Sequence, residues 1–127
     1  MNLKTVNALM AEVEDGLMGG LAATDVFSKS SGMSVAGIRS SPKACALFNI
    51  LCERIGETIK KSGLPVPDYV SQTLLRLGED GSVMIVVVDL TEKYRMGMAV
   101  DVGKAQMGVL VSVVLPDAIP RLRESLR

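Results

Sequence analysis

Cys45 and Cys52 are the only thiols of this chain, and a thiol pair could form a disulfide, hold a metal ion or supply a nucleophile. Both fall on what reads as one helix. At 1.5 Å rise per residue their Cα atoms stand roughly 10 Å apart, too far for a disulfide between them. The chain has no His and no second Cys pair, which argues against zinc. Both thiols therefore read as reduced packing residues. The serines lack a His base, and no Gly-x-Ser-x-Gly elbow appears. Gly103-Lys104 lacks the glycine spacing of a phosphate-binding loop. Gly16-Leu17-Met18-Gly19-Gly20 follows a helix rather than a strand, the wrong setting for a dinucleotide turn. The acids Glu12 with Glu14, and Glu79 with Asp80, read as solvated helix and turn residues. No catalytic residue, no metal site and no cofactor is expected.

The chemistry that is left belongs to surfaces, and these depend on the elements that carry them. Residues 2–15 place Leu3, Val6, Met10 and Val13 at helical steps. Leu21 to Ser28 and Met33 to Ile38 predict a hairpin around Ser30-Ser31-Gly32, with Gly37 marking a bulge or a close backbone approach. Residues 42–62 predict a long amphipathic helix. Ser41 supplies its N-cap, Pro42 its first position and Gly63 its stop. Gly63-Leu64-Pro65-Val66-Pro67-Asp68 is an extended linker. Strands follow at Val70 to Leu77, Ser82 to Leu90 and Tyr94 to Val102, the first two joined through Asp80-Gly81. From about Lys104 to the end the spacing favours a helix, broken or kinked near Pro116, although Val109 to Leu115 also suits a strand.

The run Val83-Met84-Ile85-Val86-Val87-Val88 is apolar on both faces, so its sheet must be covered on both sides. The expected architecture is an α/β (α+β) fold, a three-layer α/β/α sandwich around a five-stranded, mainly antiparallel sheet. The long helix covers one face, and the first and last helices cover the other. Residues 1–127 are expected to form a single domain with a mainly aliphatic core, since aromatics make up only 3% of the chain. Fourteen basic and fourteen acidic residues balance, with no basic stripe for nucleic acid and no basic-apolar cluster for a membrane surface. The N-terminus lacks the apolar run of a secretory signal, and no apolar run approaches the roughly 20 residues needed to cross a bilayer. The expected location is the cytoplasm.

On the long helix, Ala44, Leu47, Phe48, Leu51, Cys52, Ile55 and Ile59 form an apolar stripe expected to lie on the sheet. Ile50 stands outside it, among Lys43, Arg54, Glu57 and Lys61. These five are the expected partner-binding surface, with Ile50 as anchor. Cys45, Asn49, Cys52 and Gly56 recur along one edge of the stripe. Gly56 costs about 1 kcal/mol against Ala inside a helix, and a close approach would offset that cost. The approach could be to a second copy's helix or to the chain's own sheet. The third strand would be an exposed edge in a monomer. Cys45, Cys52 and Gly56, with Gln72, Thr73 and Leu74, are the expected dimer interface.

The order helix, hairpin, long helix, three-strand meander, helix resembles the roadblock/dynein light chain family, of bacterial MglB-like type, with its roadblock/profilin-like topology α-ββ-α-βββ-α. Leu17-Met18-Gly19-Gly20-Leu21-Ala22-Ala23 is similar to that family's glycine-containing turn into the first strand. Ser31-Gly32-Met33 is similar to its first hairpin, and Gln106-Met107-Gly108-Val109 to its small-residue lead-in to the final helix. The resemblance runs from about Leu3 to Leu126 and implies a small non-enzymatic homodimer. It further implies sheets paired through the third strand, long helices packed near the two-fold axis, and a Ras-like GTPase as partner. A small-molecule-binding sensory module of similar build is the alternative. It would need a polar-lined pocket, for which Asn49 and Gln72 are among the few candidate residues.

Overall fold

The computed structural model describes the whole chain, Met1–Arg127. Helix α1 spans Leu3–Gly16 and starts where the Asn2 side chain accepts the Thr5 N–H at 3.1 Å. Strands β1 (Leu21–Ser28) and β2 (Ser34–Ile38) form the hairpin. Helix α2, Pro42–Ser62, starts on Ser41, whose Oγ accepts the Ala44 N–H at 3.2 Å, and stops at Gly63 with φ of +71°. That left-handed conformation favours glycine. Strands β3 (Gln72–Leu77), β4 (Val83–Asp89) and β5 (Tyr94–Asp101) form the meander.

The five strands lie in the order β2-β1-β5-β4-β3, and every neighbouring pair is antiparallel. Both hairpin and meander thus join one sheet through β1 and β5, leaving β2 and β3 as its edges. Val26 pairs with Ala36 and Phe27 with Ser34, so Val35 is the extra residue of a bulge. Gly37 makes the expected close approach: a Cβ there would overlap Asp25 Oδ1.

The final helix, α3, holds the first correction. It begins at Met107 rather than Lys104, because Lys104 and Ala105 donate to the Asp101 carbonyl in a turn. It does not break at Pro116. The α-turn Met107–Val109 widens into a π segment at Leu110–Val114 and returns to α-helix over Leu115–Leu126. A proline ring clashes with the carbonyl four residues back. The π segment ends just before Pro116, and the Leu115 N–H reaches the Leu110 carbonyl instead of an ordinary α partner. The wider turn takes up the disturbance that would otherwise kink the helix.

Helices α1 and α3 cover one face of the sheet and share with it a cluster of 23 buried residues, including Val6, Met10, Met98, Leu110 and Leu122. The other face carries a smaller cluster, Phe27, Cys45, Phe48, Cys52 and Val87, beneath α2. Phe48 is its centre. Its ring sits on bare backbone at Gly97 of β5, where a Cβ would overlap it, and its centroid is 6.3 Å from that of Phe27. The expected burial of β4 holds for Met84, Val86, Val87 and Val88. It fails toward the β3–β4 turn, where Leu77 and Val83 pair and stay open to solvent.

The apolar stripe of α2 is the second correction. Only Cys45, Phe48 and Cys52 are buried on this helix. Leu47 is 53% exposed, and Ala44, Leu51, Ile55 and Ile59 are half-buried. The helix is rotated so that its narrow edge meets the sheet, because the Phe48 ring seats in the groove that Gly97 leaves. One flank of aliphatic side chains is left uncovered.

Candidate interaction surfaces and a charged cleft

Helix α2 presents three distinct flanks. Cys45 and Cys52 point down onto the sheet, which decides between the two packings open for this edge. Neither can meet a second copy, since Cys45 is fully buried and Cys52 nearly so. Their assignment to a dimer interface is corrected on that ground. Burial pushes the Cys45 thiol up to about 12, with the Asp25 carboxylate adding to the effect. Burial likewise raises Cys52, against the opposing charge of Arg95. A thiol at about 12 is only ~10⁻⁴ thiolate at pH 8. Iodoacetamide at pH 8 should therefore leave both cysteines unmodified in the folded protein and label both in guanidinium, as read by intact mass. Labelling of Cys45 in the folded state would contradict the packing described here.

Gly56 is half-buried and faces the linker. Its nearest neighbour is the Asp68 carbonyl of the linker, 3.5 Å from where a Cβ would stand. On β3, Thr73 is buried beside Cys52, while Gln72 and Leu74 are exposed along the unpaired edge. Gln72 is thus not a buried polar group. Of the residues expected at the dimer interface, Gln72 and Leu74 are exposed, Gly56 is half-buried, and Cys45, Cys52 and Thr73 are buried.

The second flank carries Lys43, Ile50, Arg54, Glu57 and Lys61, all exposed, with Ile50 at 52%. At about 100° per residue they share one face. The structure brings them together as one charged surface around a single aliphatic side chain. The third flank is the uncovered aliphatic row Leu47, Leu51, Ile55 and Ile59.

Two buried acids escaped the sequence reading. Asp25, 1% exposed in β1, accepts hydrogen bonds from Ser34 Oγ at 2.7 Å, from Ser40 Oγ and from the Ser41 N–H at 3.2 Å. It fastens the β1–β2 hairpin to the N-terminus of α2, where the helix dipole favours a negative charge. Asp89, at the end of β4, pairs with Lys29, accepts the Tyr69 hydroxyl and stands 3.8 Å from Arg95 Nε. That hydrogen bond to a carboxylate raises the Tyr69 phenol above its ordinary value. Arg123 of α3 donates to the Leu90 and Asp89 carbonyls at 2.8 and 3.0 Å. The signal was present: an acid inside Thr24-Asp25-Val26-Phe27 and another closing Val86-Val87-Val88-Asp89 break apolar strands. A buried acid requires partners distant in sequence, and these could not be read locally.

Asp89, Lys29, Arg95 and Tyr69 belong to the wall of a cleft of about 410 Å³ between the C-terminal half of α2, the linker and the end of the sheet. Asn49, expected as a buried polar residue, braces its floor: its amide donates to the Lys29 carbonyl and accepts from Arg95 Nη1, both at 2.8 Å. No three His, Cys, Asp or Glu side chains converge as metal ligands, and no helix is long and apolar enough to cross a membrane.

No family model matches the sequence, and no curated protein matches it. Solved structures do match. MglB of Myxococcus xanthus superposes with a TM-score of 0.79 at 10% identity, over 98% of this chain and 89% of that one. An MglB described as having a tetrameric arrangement gives 0.72 at 14% identity, over 96% and 87% of the two chains. A roadblock/LC7 domain from Streptomyces avermitilis gives 0.63 at 15% identity, over 95% and 93%. The chain has the roadblock/LC7 fold in the form seen in MglB.

Proposed function

We propose that this chain is a non-enzymatic homodimeric adaptor that binds and regulates a protein partner, a small Ras-like GTPase. The observation that carries the reading is helix α2, which uses only its narrow edge to hold the sheet and leaves an aliphatic flank and a charged flank to solvent. A helix on this fold gains nothing for its own protomer from leaving Leu47 exposed and Leu51, Ile55 and Ile59 only half-buried, and uncovered apolar patches mark interaction sites. The dimer uses that row with the open edge of β3, at Gln72 and Leu74. The partner takes the neighbouring flank, with Ile50 as anchor among Lys43, Arg54, Glu57 and Lys61. Any effect on GTP hydrolysis comes from positioning the partner's own loops.

The test is affinity capture from the native cytoplasm with wild type and an Ile50→Asp, Arg54→Glu variant as parallel baits. Loss of a central contact is worth about 2 kcal/mol, or roughly 30-fold, and two together should empty the capture. A small GTPase held by wild type and lost by the variant, with unchanged melting temperature, is the expected result. A GTPase held equally by both baits, or absent from both, would refute the assignment.

A further inference from the structure

The cleft under α2 has a polarity that the adaptor role shares only at Glu57. Its floor holds two cations beside one buried carboxylate, with the exposed carboxylate of Glu53 at its edge. Lys29 and Arg95 are half-buried there, with side chains 21% and 14% exposed, and share the single buried carboxylate of Asp89. Arg95 engages Asn49 and Glu53 through Nη1 alone, at 2.8 and 3.5 Å. Its Nε is too far from Asp89 for a hydrogen bond, and Nη2 makes none. The Nε–Nη2 edge of a guanidinium is the fork that fits a carboxylate. The rim is of opposite character. Glu57 and Asp68 are exposed on facing elements, α2 and the linker, and neither makes an ion pair. Lys60, on the same rim, offsets only part of their charge. The Tyr69 ring, 65% exposed, lines the wall between floor and rim while its hydroxyl is held by Asp89.

We infer that this cleft binds a small zwitterion of the α-amino acid class, its carboxylate on Arg95 and Lys29 and its ammonium toward Glu57 and Asp68. The volume, about 410 Å³, lies at the small end of ligand sites, which run about 300–1,000 Å³. A lone anion would meet the rim carboxylates, and a lone cation would meet the floor; a neutral molecule with separated charges satisfies both. The site stays open when the aliphatic flank of α2 is covered. At about 100° per residue, Glu53, Glu57 and Lys60 lie on the side of the helix away from Leu51 and Ile55. The inference does not rest on the partner reading, and the titration below needs no partner.

The experiment is calorimetric titration of the intact protein with each common amino acid, with propionate and ethylamine as single-charge controls. At least one amino acid should bind saturably below about 1 mM, and each control at least tenfold more weakly. Glu57→Gln with Asp68→Asn, both on exposed positions, should weaken the amino acid at least tenfold while binding propionate no more weakly, and more tightly if anything. Arg95→Lys should weaken the amino acid and propionate alike. No saturable binding of any amino acid up to 10 mM, controls that bind as well as the amino acid, or binding that both variants leave intact would each overturn the inference.

Discussion

A Leu51→Asp, Ile55→Asp variant should sediment as a folded monomer at micromolar concentration, where the wild type is expected to sediment as a dimer. Neither residue belongs to the buried clusters of its own protomer, so the substitutions remove little intrachain packing. In a two-fold dimer each change acts twice. Four aliphatic side chains at about 1.5 kcal/mol each make ~6 kcal/mol of apolar burial, before the cost of burying aspartates is added. That weakens association by more than ~10³-fold. Circular dichroism should show the melt surviving at low protein concentration. A wild type that sediments as a monomer, or a variant that remains a dimer, would remove the α2 flank from the interface.

The largest effect on stability is expected at a residue with no side chain. Gly97→Val should leave the protein largely unfolded or stripped of ordered α2, because the added carbons occupy space taken by the Phe48 ring. The ring cannot retreat. It is 4% exposed, tilted at 32° to Phe27, and carried by a helix whose start is tied to Asp25 through the Ser41 N–H. Overpacking of this kind costs about 1–3 kcal/mol where side chains can shift, and more where backbone must move. Phe48→Ala alone should cost about 3–5 kcal/mol. The decisive comparison is a double-mutant cycle by urea unfolding with Gly97→Ala. In the Phe48→Ala background the added methyl should cost far less than in the wild type, with a coupling above about 1 kcal/mol. Additive costs would show that the ring and the glycine are not in contact.

Those two residues also mark how far the sequence could be read. The unbroken apolar run of β4 demanded a sheet covered on both faces, and the caps Ser41 and Gly63 set the ends of α2 to the residue. Local signals of that kind depend on neighbours in the chain, and they transferred to the fold. The rotation of α2 did not, because it is set by Gly97, 49 positions beyond Phe48, whose value lies in an absent side chain. A stripe drawn from hydropathy treats every apolar residue as core, whereas α2 buries only Phe48 and Cys52 of its stripe, with Cys45 at the edge. The same limit hid the cleft. Lys29 lies far in sequence from Asp89 and Arg95, just past one strand where they fall within two others, and only the closing of β1 on β5 and β5 on β4 brings them together. The exposed patch around Ile50 was legible because it needs one helix and no tertiary contact.

The π segment of α3 has a consequence for how this chain is compared with its structural relatives. A π turn holds one residue more than the α turn it replaces. Leu115–Leu126 is therefore offset by one residue, about 100° of rotation, from the phase set by Met107–Val109. Ala118, Ile119, Leu122 and Leu126 reach the core, and Arg123 reaches the β4 carbonyls, only with that extra residue in place. An alignment to any relative whose last helix is unbroken needs a one-residue gap inside Leu110–Val114. Without it, every C-terminal position would be matched to the wrong face of the helix.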